Sequence, residues 1–505
     1  MKSFLSFLFV ALGVALSICL TQSVTVVQAQ SPAIATIKFN SCGCETKPLP
    51  DVIATVNGAP IKSSELEEAV RLDVEQAQKA VIDARGRELD YQINSKLAEM
   101  EAKKRGVTVG QLMQQEVVKK VPEPTDAECQ AFYDDNKANL GGNFNELKAG
   151  IANYIRQQRQ QAEAEKFAYR LRGAADLKIL VAEVTPPQND SERSRVLATI
   201  NGTPITSGDI EDSLKPLIFN VQQQVYGIRL NVLGAKVNDT LLLQEAKKRQ
   251  IEPIALLNTE VVQKTKKITD EDAKKFYDEN KAKLTGDFPA LKDQIIGYLQ
   301  QQESDKTTAA FAEQLRKGAA IQIFLPPPVS PVFKIATDDR PSKGNPNAPV
   351  TLIEFSDYQC PTCAQTQPMI EAAIAKYGDS LRVVVRNYPL IKHPNAFRAA
   401  EASEAARAQG KYWEYIAILY QNQNALTDDK LKEYASRLGL DRKAFDAALA
   451  SGQYTEKVQR DIDDGNYLGI TGTPTIFING RRLTAVTAES INGGIDAVLK
   501  DLGRK

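Results

Sequence analysis

The sequence predicts a multidomain protein: two mainly α-helical modules followed by an α/β domain whose sheet is covered by helices. Three observations predict this. A long segment occurs twice, at a constant offset of 144 residues. The run Cys360-Pro361-Thr362-Cys363 stands between an apolar, strand-like stretch (residues 350–356) and a helix-like pattern that begins near Ala364. Thr473-Pro474 opens a second strand-like stretch. A chain of 505 residues has room for about three or four domains. Lys+Arg and Asp+Glu are equal at 63 each, so no basic field exists to attract nucleic acid or anionic lipid, and both are excluded as partners.

From the N-terminus, Met1-Lys2 precedes an apolar run over residues 4–20 and then Val27-Gln28-Ala29. A charged start, a hydrophobic stretch and a small-residue cleavage site read as a signal peptide over residues 1–29. The alternative is an uncleaved membrane anchor, for which the apolar run lies near the lower length limit. Ile18 before Cys19 argues against lipoprotein processing, which wants a small residue there. The expected location is therefore exported, in the periplasm or cell envelope. Removal of residues 1–29 leaves Cys42, Cys44, Cys129, Cys360 and Cys363. An odd number in so long a chain is not a disulfide scaffold. A leader, residues 30–50, carries Cys42-Gly43-Cys44, which allows a small-ring disulfide, a metal ligand pair or no role at all.

The duplication then sets two modules, residues 51–184 and 195–325. The segment Val52-Ile-Ala-Thr-Val-Asn-Gly-Ala-Pro-Ile61 returns as Val196-Leu-Ala-Thr-Ile-Asn-Gly-Thr-Pro-Ile205, and Glu101-Ala-Lys-Lys-Arg105 returns as Glu245-Ala-Lys-Lys-Arg249. Phe132-Tyr133-Asp134 returns as Phe276-Tyr277-Asp278. A period this long means tandem domains rather than a solenoid. Each copy opens with a β-branched hairpin whose turn is Asn57-Gly58 or Asn201-Gly202. The remainder reads as helix: Ile93, Leu97 and Met100 share one face, Gly106 stops that helix, and Thr125–Glu128 and Thr269–Asp272 have capping-box spacing. Cys129 maps to Ala273 and reads as an incidental thiol. Residues 185–194 are a polar linker and residues 326–347 a Pro-rich one.

The third domain, residues 348–505, reads as strand (350–356), reactive turn, helix (364–377), strand (380–388), a helical block (395–464), a strand from Thr475, an Asn479-Gly480 turn, and a final helix (488–502). Two cysteines separated by two residues at a strand-to-helix junction form the reactive unit of a thiol–disulfide enzyme. Free N–H groups at the helix start favour the thiolate, the only form that attacks a disulfide. Zinc needs four ligands, and this domain offers two cysteines and the chain's single histidine, His393, so no metal or other cofactor is expected. A structural disulfide closing so small a loop would stabilise little. Beside that cysteine pair, Pro474 reads as a cis proline that turns the backbone of Thr473 towards an extended substrate.

Residues 348–505 resemble the DsbA-like thioredoxin-fold domains of bacteria. The run Ala348-Pro-Val-Thr-Leu-Ile-Glu-Phe-Ser-Asp-Tyr-Gln-Cys-Pro-Thr-Cys363, Asn387-Tyr-Pro-Leu390, His393-Pro394, Gly410-Lys-Tyr-Trp413 and Gly472-Thr-Pro-Thr-Ile-Phe-Ile-Asn-Gly480 carry the resemblance. It implies a thioredoxin fold with a helical insertion. It also implies that Cys360 is the nucleophile, Cys363 the more buried resolving thiol, and Pro361, Thr362 and Thr473 the substrate-facing residues beside Pro474. Glu354, six residues before Cys360, takes the place of a buried acid that relays the Cys363 proton. Thr362 stands where strong oxidants of this family carry histidine, so oxidising strength does not carry over, and His393 reads as structural. Each duplicated segment resembles the N-terminal chaperone module of SurA-like periplasmic proteins, which binds unfolded polypeptide. No segment remains for a prolyl isomerase unit, so no isomerase activity is expected.

The combined expectation is an exported thiol–disulfide oxidoreductase with tandem polypeptide-binding modules. Its partners would be unfolded or partly folded exported proteins and a redox partner of unspecified identity, with oxidase, reductase or isomerase direction left open. The alternative is a holdase chaperone whose thioredoxin-like domain only docks.

Overall fold

The computed structural model describes residues 42–44, 48–137 and 140–503. The signal peptide expected over residues 1–29, Cys19 and most of the leader lie outside the described residues. No helix among the described residues is long and apolar enough to cross a membrane.

Each repeat opens as a hairpin, β1 (Val52–Val56) with β2 (Ala59–Lys62), and β4 (Val196–Ile200) with β5 (Thr203–Thr206). Asn57-Gly58 and Asn201-Gly202 all have positive φ, the backbone that a two-residue turn of matching twist requires. Each hairpin runs directly into a 43-residue helix, α1 (Ser63–Arg105) or α6 (Ser207–Arg249). Gly106 ends α1 in the left-handed conformation, with three basic residues in the last turn against the dipole. Three further helices complete the first copy: α2 (Val109–Glu116), α3 (Asp126–Asn136) and α4 (Phe144–Ala174). In the second copy α7 (Pro253–Leu257), α8 (Asp270–Asn280) and α9 (Phe288–Lys317) correspond. Capping boxes form at both Thr125/Glu128 and Thr269/Asp272. Between the copies, the polar linker contains one helical turn, α5 (Asp190–Arg193), capped by Asn189.

The copies do not fold one after the other. The strand that ends copy one, β3 (Leu177–Ile179), pairs with β4 of copy two. The strand that ends copy two, β6 (Ile321–Ile323), pairs with β1 of copy one. Both three-stranded sheets are thus shared, and the duplicated region is an intramolecular counterpart of an isologous, strand-exchanged dimer. Its axis is the α1–α6 contact. Val70, Val74, Ala77 and Val81 of α1 share a core with Val221, Val225, Leu233, Val237 and Leu241 of α6, and Leu89 and Ile93 share a second one with Ile210 and Leu214. One arginine interrupts each apolar stripe, and the two obey the same 144-residue offset. Arg85 makes a two-point ion pair with Glu211 (2.6 and 3.1 Å), and Arg229 makes the equivalent one with Glu67 (2.8 and 3.0 Å). This reciprocity requires α1 and α6 to run antiparallel. Cys42 and Cys44 are disulfide-bonded and buried in the same core. Cys129 is a buried free thiol on α3.

The Pro-rich stretch does more than space the domains. Val332 bridges to Arg481, Phe333 is buried against Phe477, and β7 (Ser342–Gly344) pairs with β9 (Leu381–Asn387), so the C-terminal sheet begins ahead of Ala348. Three residues give too short an alternation to read as a strand. The sheet order is β11-β10-β8-β9-β7, with β8 (Val350–Ser356) parallel to β9, β10 (Thr475–Ile478) antiparallel to β8, and β11 (Arg481–Arg482) at the edge. Alternation along β8 sends Val350 and Leu352 towards α10 (Pro361–Tyr377) and α16 (Ala488–Asp501), and Ile353 and Phe355 towards the opposite face. Between β9 and β10 the insertion supplies α11 (Ala396–Ala408), α12 (Tyr412–Gln421), α13 (Asp428–Arg437), α14 (Arg442–Ser451) and α15 (Thr455–Tyr467), with a core of their own. Fully buried Asp461 on α15 ties it to the sheet by accepting from Arg386, Arg340 and the Asn387 amide.

Candidate active site

Strand β8 ends at Ser356, and the chain turns through Asp357–Gln359 into α10. Cys360 is the N-cap of that helix and Pro361 its first residue, where a missing N–H costs nothing. No side chain caps the helix, which leaves its positive end beside the Cys360 sulfur, where the Thr362 and Cys363 amides favour the thiolate. Cys360 and Cys363 are both free thiols. Cys360 is 6% exposed and Cys363 is fully buried, so substrate reaches only the first. Thr473-Pro474 is a cis peptide, and the Thr473 carbonyl lies 3.4 Å from the Cys360 sulfur. The two motifs, 113 residues apart, therefore meet at one sulfur.

Electrostatics separate the two cysteines. A hydrogen bond from the Cys363 thiol, with further ones from Thr473 and the Cys363 and Thr362 amides, holds the Cys360 thiol well below its ordinary range against the opposing effect of burial. Burial pushes Cys363 far up, with Cys360 and the Glu354 charge adding to it. Cys360 should therefore stay nucleophilic in mildly acidic solution. Its iodoacetamide alkylation rate is expected to remain near its plateau below pH 7, where a free thiol is only about 3% ionised. A rate that instead rises through pH 8–9 would contradict this geometry.

Glu354 faces α10 from β8 and is buried beneath Cys363. Burial raises its carboxyl to about 7, against hydrogen bonds from Ser356 and Gln367. Gln367 Nε2 donates to both carboxylate oxygens at 3.2 Å. Ser356, two residues on and on the same face, is a hub: its Oγ is 2.9 Å from Glu354 Oε1 and 2.7 Å from the Tyr420 hydroxyl, and it also contacts Cys363. A hydroxyl thus bridges the buried thiol and the acid. The expected residues Cys360, Cys363, Glu354, Thr473 and Pro474 are brought together here, with Pro361 and Thr362 in the first turn of α10.

Sequence reading missed the supports. Gln423, from the insertion, donates to the carbonyls of Tyr358 (2.9 Å) and Cys360 (2.8 Å) and fixes the reactive turn. Buried Asp357 accepts from the amides of Gln359 (2.7 Å) and Leu390 (2.9 Å) and lies 2.6 Å from His393 Nδ1. His393 thus positions the turn through Asp357. Ser356 had a readable signal, since a strand residue two places from a buried acid shares its face. Gln367, Tyr420 and Gln423 had none, because only the fold brings them there.

A family model described as Thioredoxin matches residues 336–497. Among curated proteins, the chain is 38% identical over 143 residues to Na(+)/H(+) antiporter NhaA 1 of Mycolicibacterium gilvum, covering 28% of this chain and 23% of that protein. It is 38% identical over 167 residues to Na(+)/H(+) antiporter NhaA of Herminiimonas arsenicoxydans, covering 33% and 26%. The matches span about a quarter of the length of these relatives. Among solved structures, the chain is similar to oxidised BdbD of Bacillus subtilis (24% identity, TM-score 0.32, 34% of this chain and 98% of that one). It is also similar to alpha-DsbA1 of Wolbachia pipientis (20% identity, TM-score 0.30, 33% and 94%). The family match and the observed sheet order agree: the C-terminal residues form a thioredoxin-like α/β domain, preceded by a mostly helical region.

Proposed function

We propose that this chain is an exported thiol–disulfide oxidoreductase acting on cysteines of folding proteins, with its duplicated helical region holding the polypeptide. One observation carries the reading: a low-pKa Cys360 at a helix start, set against the carbonyl before cis-Pro474, with a buried partner thiol and a buried acid behind it. In the reducing direction the Cys360 thiolate attacks a substrate disulfide, forms a mixed disulfide and releases one substrate thiolate. Cys363 then passes its proton by way of Ser356 to Glu354 and attacks the Cys360 sulfur. The second substrate thiolate leaves, and Cys360 and Cys363 end oxidised, two electrons having moved to the substrate. Oxidation of a substrate dithiol is the same sequence in reverse, and a redox partner resets the pair. The resemblance of the duplicated segments to SurA-like chaperone modules supports polypeptide binding, and the apolar N-terminus supports export, where disulfides persist.

The test is Cys363→Ala. Without the resolving thiol, mixed disulfides between Cys360 and substrate proteins should accumulate as reducible adducts on non-reducing gels, and Cys360→Ser should abolish them. No adduct from Cys363→Ala, with suppression of aggregation intact, would overturn the enzyme reading in favour of a chaperone.

A further inference from the structure

The helical region does not stand apart from the reactive site. On the face of α6 opposite its contact with α1, Asn220 Nδ2 donates to the Gly469 carbonyl (2.7 Å) and Asn220 Oδ1 accepts from Arg482 Nη1 (2.9 Å). The approach is close. Gly469 has φ +67°, and a Cβ there would lie 2.5 Å from Asn220 Nδ2 and 3.3 Å from Pro216 Cβ. One turn along the same face, Gln223 lines a cleft of about 310 Å³ together with Pro474, Thr475, Arg482, Thr484 and Val486. That volume suits one or two residues of an extended chain rather than a folded ligand.

Three features say what would lie there. The N–H of Thr473 makes no hydrogen bond among the described residues, and its carbonyl faces only the Cys360 sulfur, so a substrate backbone has a donor and an acceptor to pair with beside the reactive atom. The half-buried Gln223 amide makes no hydrogen bond among the described residues. Arg482 spends Nη1 on Asn220 and the Gly469 carbonyl, and no carboxylate among the described residues pairs with it. A half-buried guanidinium with free N–H groups in a polar cleft favours a carboxylate.

Building on the oxidoreductase reading, we propose that α6 completes the substrate site. Gln223 and Arg482 hold the extended polypeptide segment next to the substrate cysteine and select an acidic side chain there. The duplicated region is then one wall of the site as well as a tether. This differs from general polypeptide binding, because it assigns a sequence preference to a cleft shared by both parts of the chain.

The test uses the full-length dithiol protein and short cysteine peptides activated as mixed disulfides with thionitrobenzoate, the cysteine being flanked by Glu or by Lys. The Cys360 thiolate displaces thionitrobenzoate, which is read by its absorbance. The Glu peptide is expected to react about five-fold faster than the Lys peptide at low salt, a margin that shrinks as salt rises. Arg482→Gln should bring the ratio close to one. Gln224→Ala, exposed and outside the cleft, should leave it unchanged. A photo-crosslinker at position 223 should label the Glu peptide even when Cys360 and Cys363 are both serine. Equal rates for the two peptides in the wild type, with no labelling from position 223, would overturn the cleft while leaving thiol exchange standing. Labelling from position 223 without any thionitrobenzoate release from the wild type would sustain the cleft and sink the enzyme reading.

Discussion

Glu211→Ala is expected to destabilise the helical region by about 3–5 kcal/mol, several times the effect of Glu67→Ala, although the two glutamates are related by the repeat. The difference follows from burial. Arg85 is fully buried and its partner Glu211 only 11% exposed, whereas Glu67 is 42% exposed. Removing Glu211 strands a guanidinium beside the Cys42–Cys44 loop, and Arg85 Nη1 has no hydrogen-bond partner among the described residues. At the other end Arg229 is also buried, 8% exposed, but the opening left by the exposed Glu67 admits water to it, so that loss should stay at about 1 kcal/mol. Restoring an apolar seam with Arg85→Met and Glu211→Leu together should recover much of the loss, because desolvating an ion pair offsets most of its attraction. The check is urea unfolding by far-UV circular dichroism, dominated by α1, α4, α6 and α9. Trp413, the chain's single tryptophan, sits on α12 and reports the C-terminal domain separately. Equal shifts for Glu211→Ala and Glu67→Ala would show that burial does not set the cost.

That ion pair also marks where the sequence was legible and where it was not. The offset of 144 residues places one charged residue in the same apolar stripe of each copy, and a pair of such exceptions is a signal of a symmetric contact. The strand exchange had no such signal. The two hairpins are nearly the same sequence, so β3 and β6 match either one equally, and only the path of the long helices decides which is within reach. The C-terminal domain was more readable because its two central strands are seven-residue, almost continuously buried runs rich in β-branched residues, and its helices carry stops and caps. At the site, the cysteine pair and the proline before β10 carry their chemistry in local sequence. Ser356 was within reach of strand periodicity. Gln367, Tyr420 and Gln423 act through distances that periodicity cannot see, and so does the contact of α6 with Gly469.

Glu354→Gln should give the clearest pH signature. Its two hydrogen-bond partners, Ser356 and Gln367, are neutral, and the titratable groups nearest it are Cys363, Tyr358 and Tyr420, none of them a cation at neutral pH. No cation therefore offsets the burial, and the Ser356 and Gln367 hydrogen bonds oppose it only in part, so the carboxyl rises to about 7. Unfolding returns it to the ordinary range near 4.5, so between those two values the folded chain holds a proton that the unfolded chain has lost. Stability then falls as pH rises through that window, and above it the full penalty, roughly 3 kcal/mol, is in force. Glutamine keeps the shape and carries no charge, so the dithiol form of Glu354→Gln should be more stable than the wild type by about that amount at pH 8 and by almost nothing at pH 4. The same change removes the acceptor for the Cys363 proton. Decay of a preformed Cys360 mixed disulfide should slow by roughly 10²-fold, while Cys360 alkylation, which precedes any use of Cys363 as a nucleophile, should change far less. Ser356→Ala separates relay from simple burial. It leaves the carboxylate in place but breaks its bridge to Cys363, so it should slow the resolving step without reproducing the pH-dependent gain in stability. A Glu354→Gln protein that is less stable than the wild type at pH 8, or that resolves its mixed disulfide at the wild-type rate, would show that this carboxyl neither carries the burial penalty nor takes the proton.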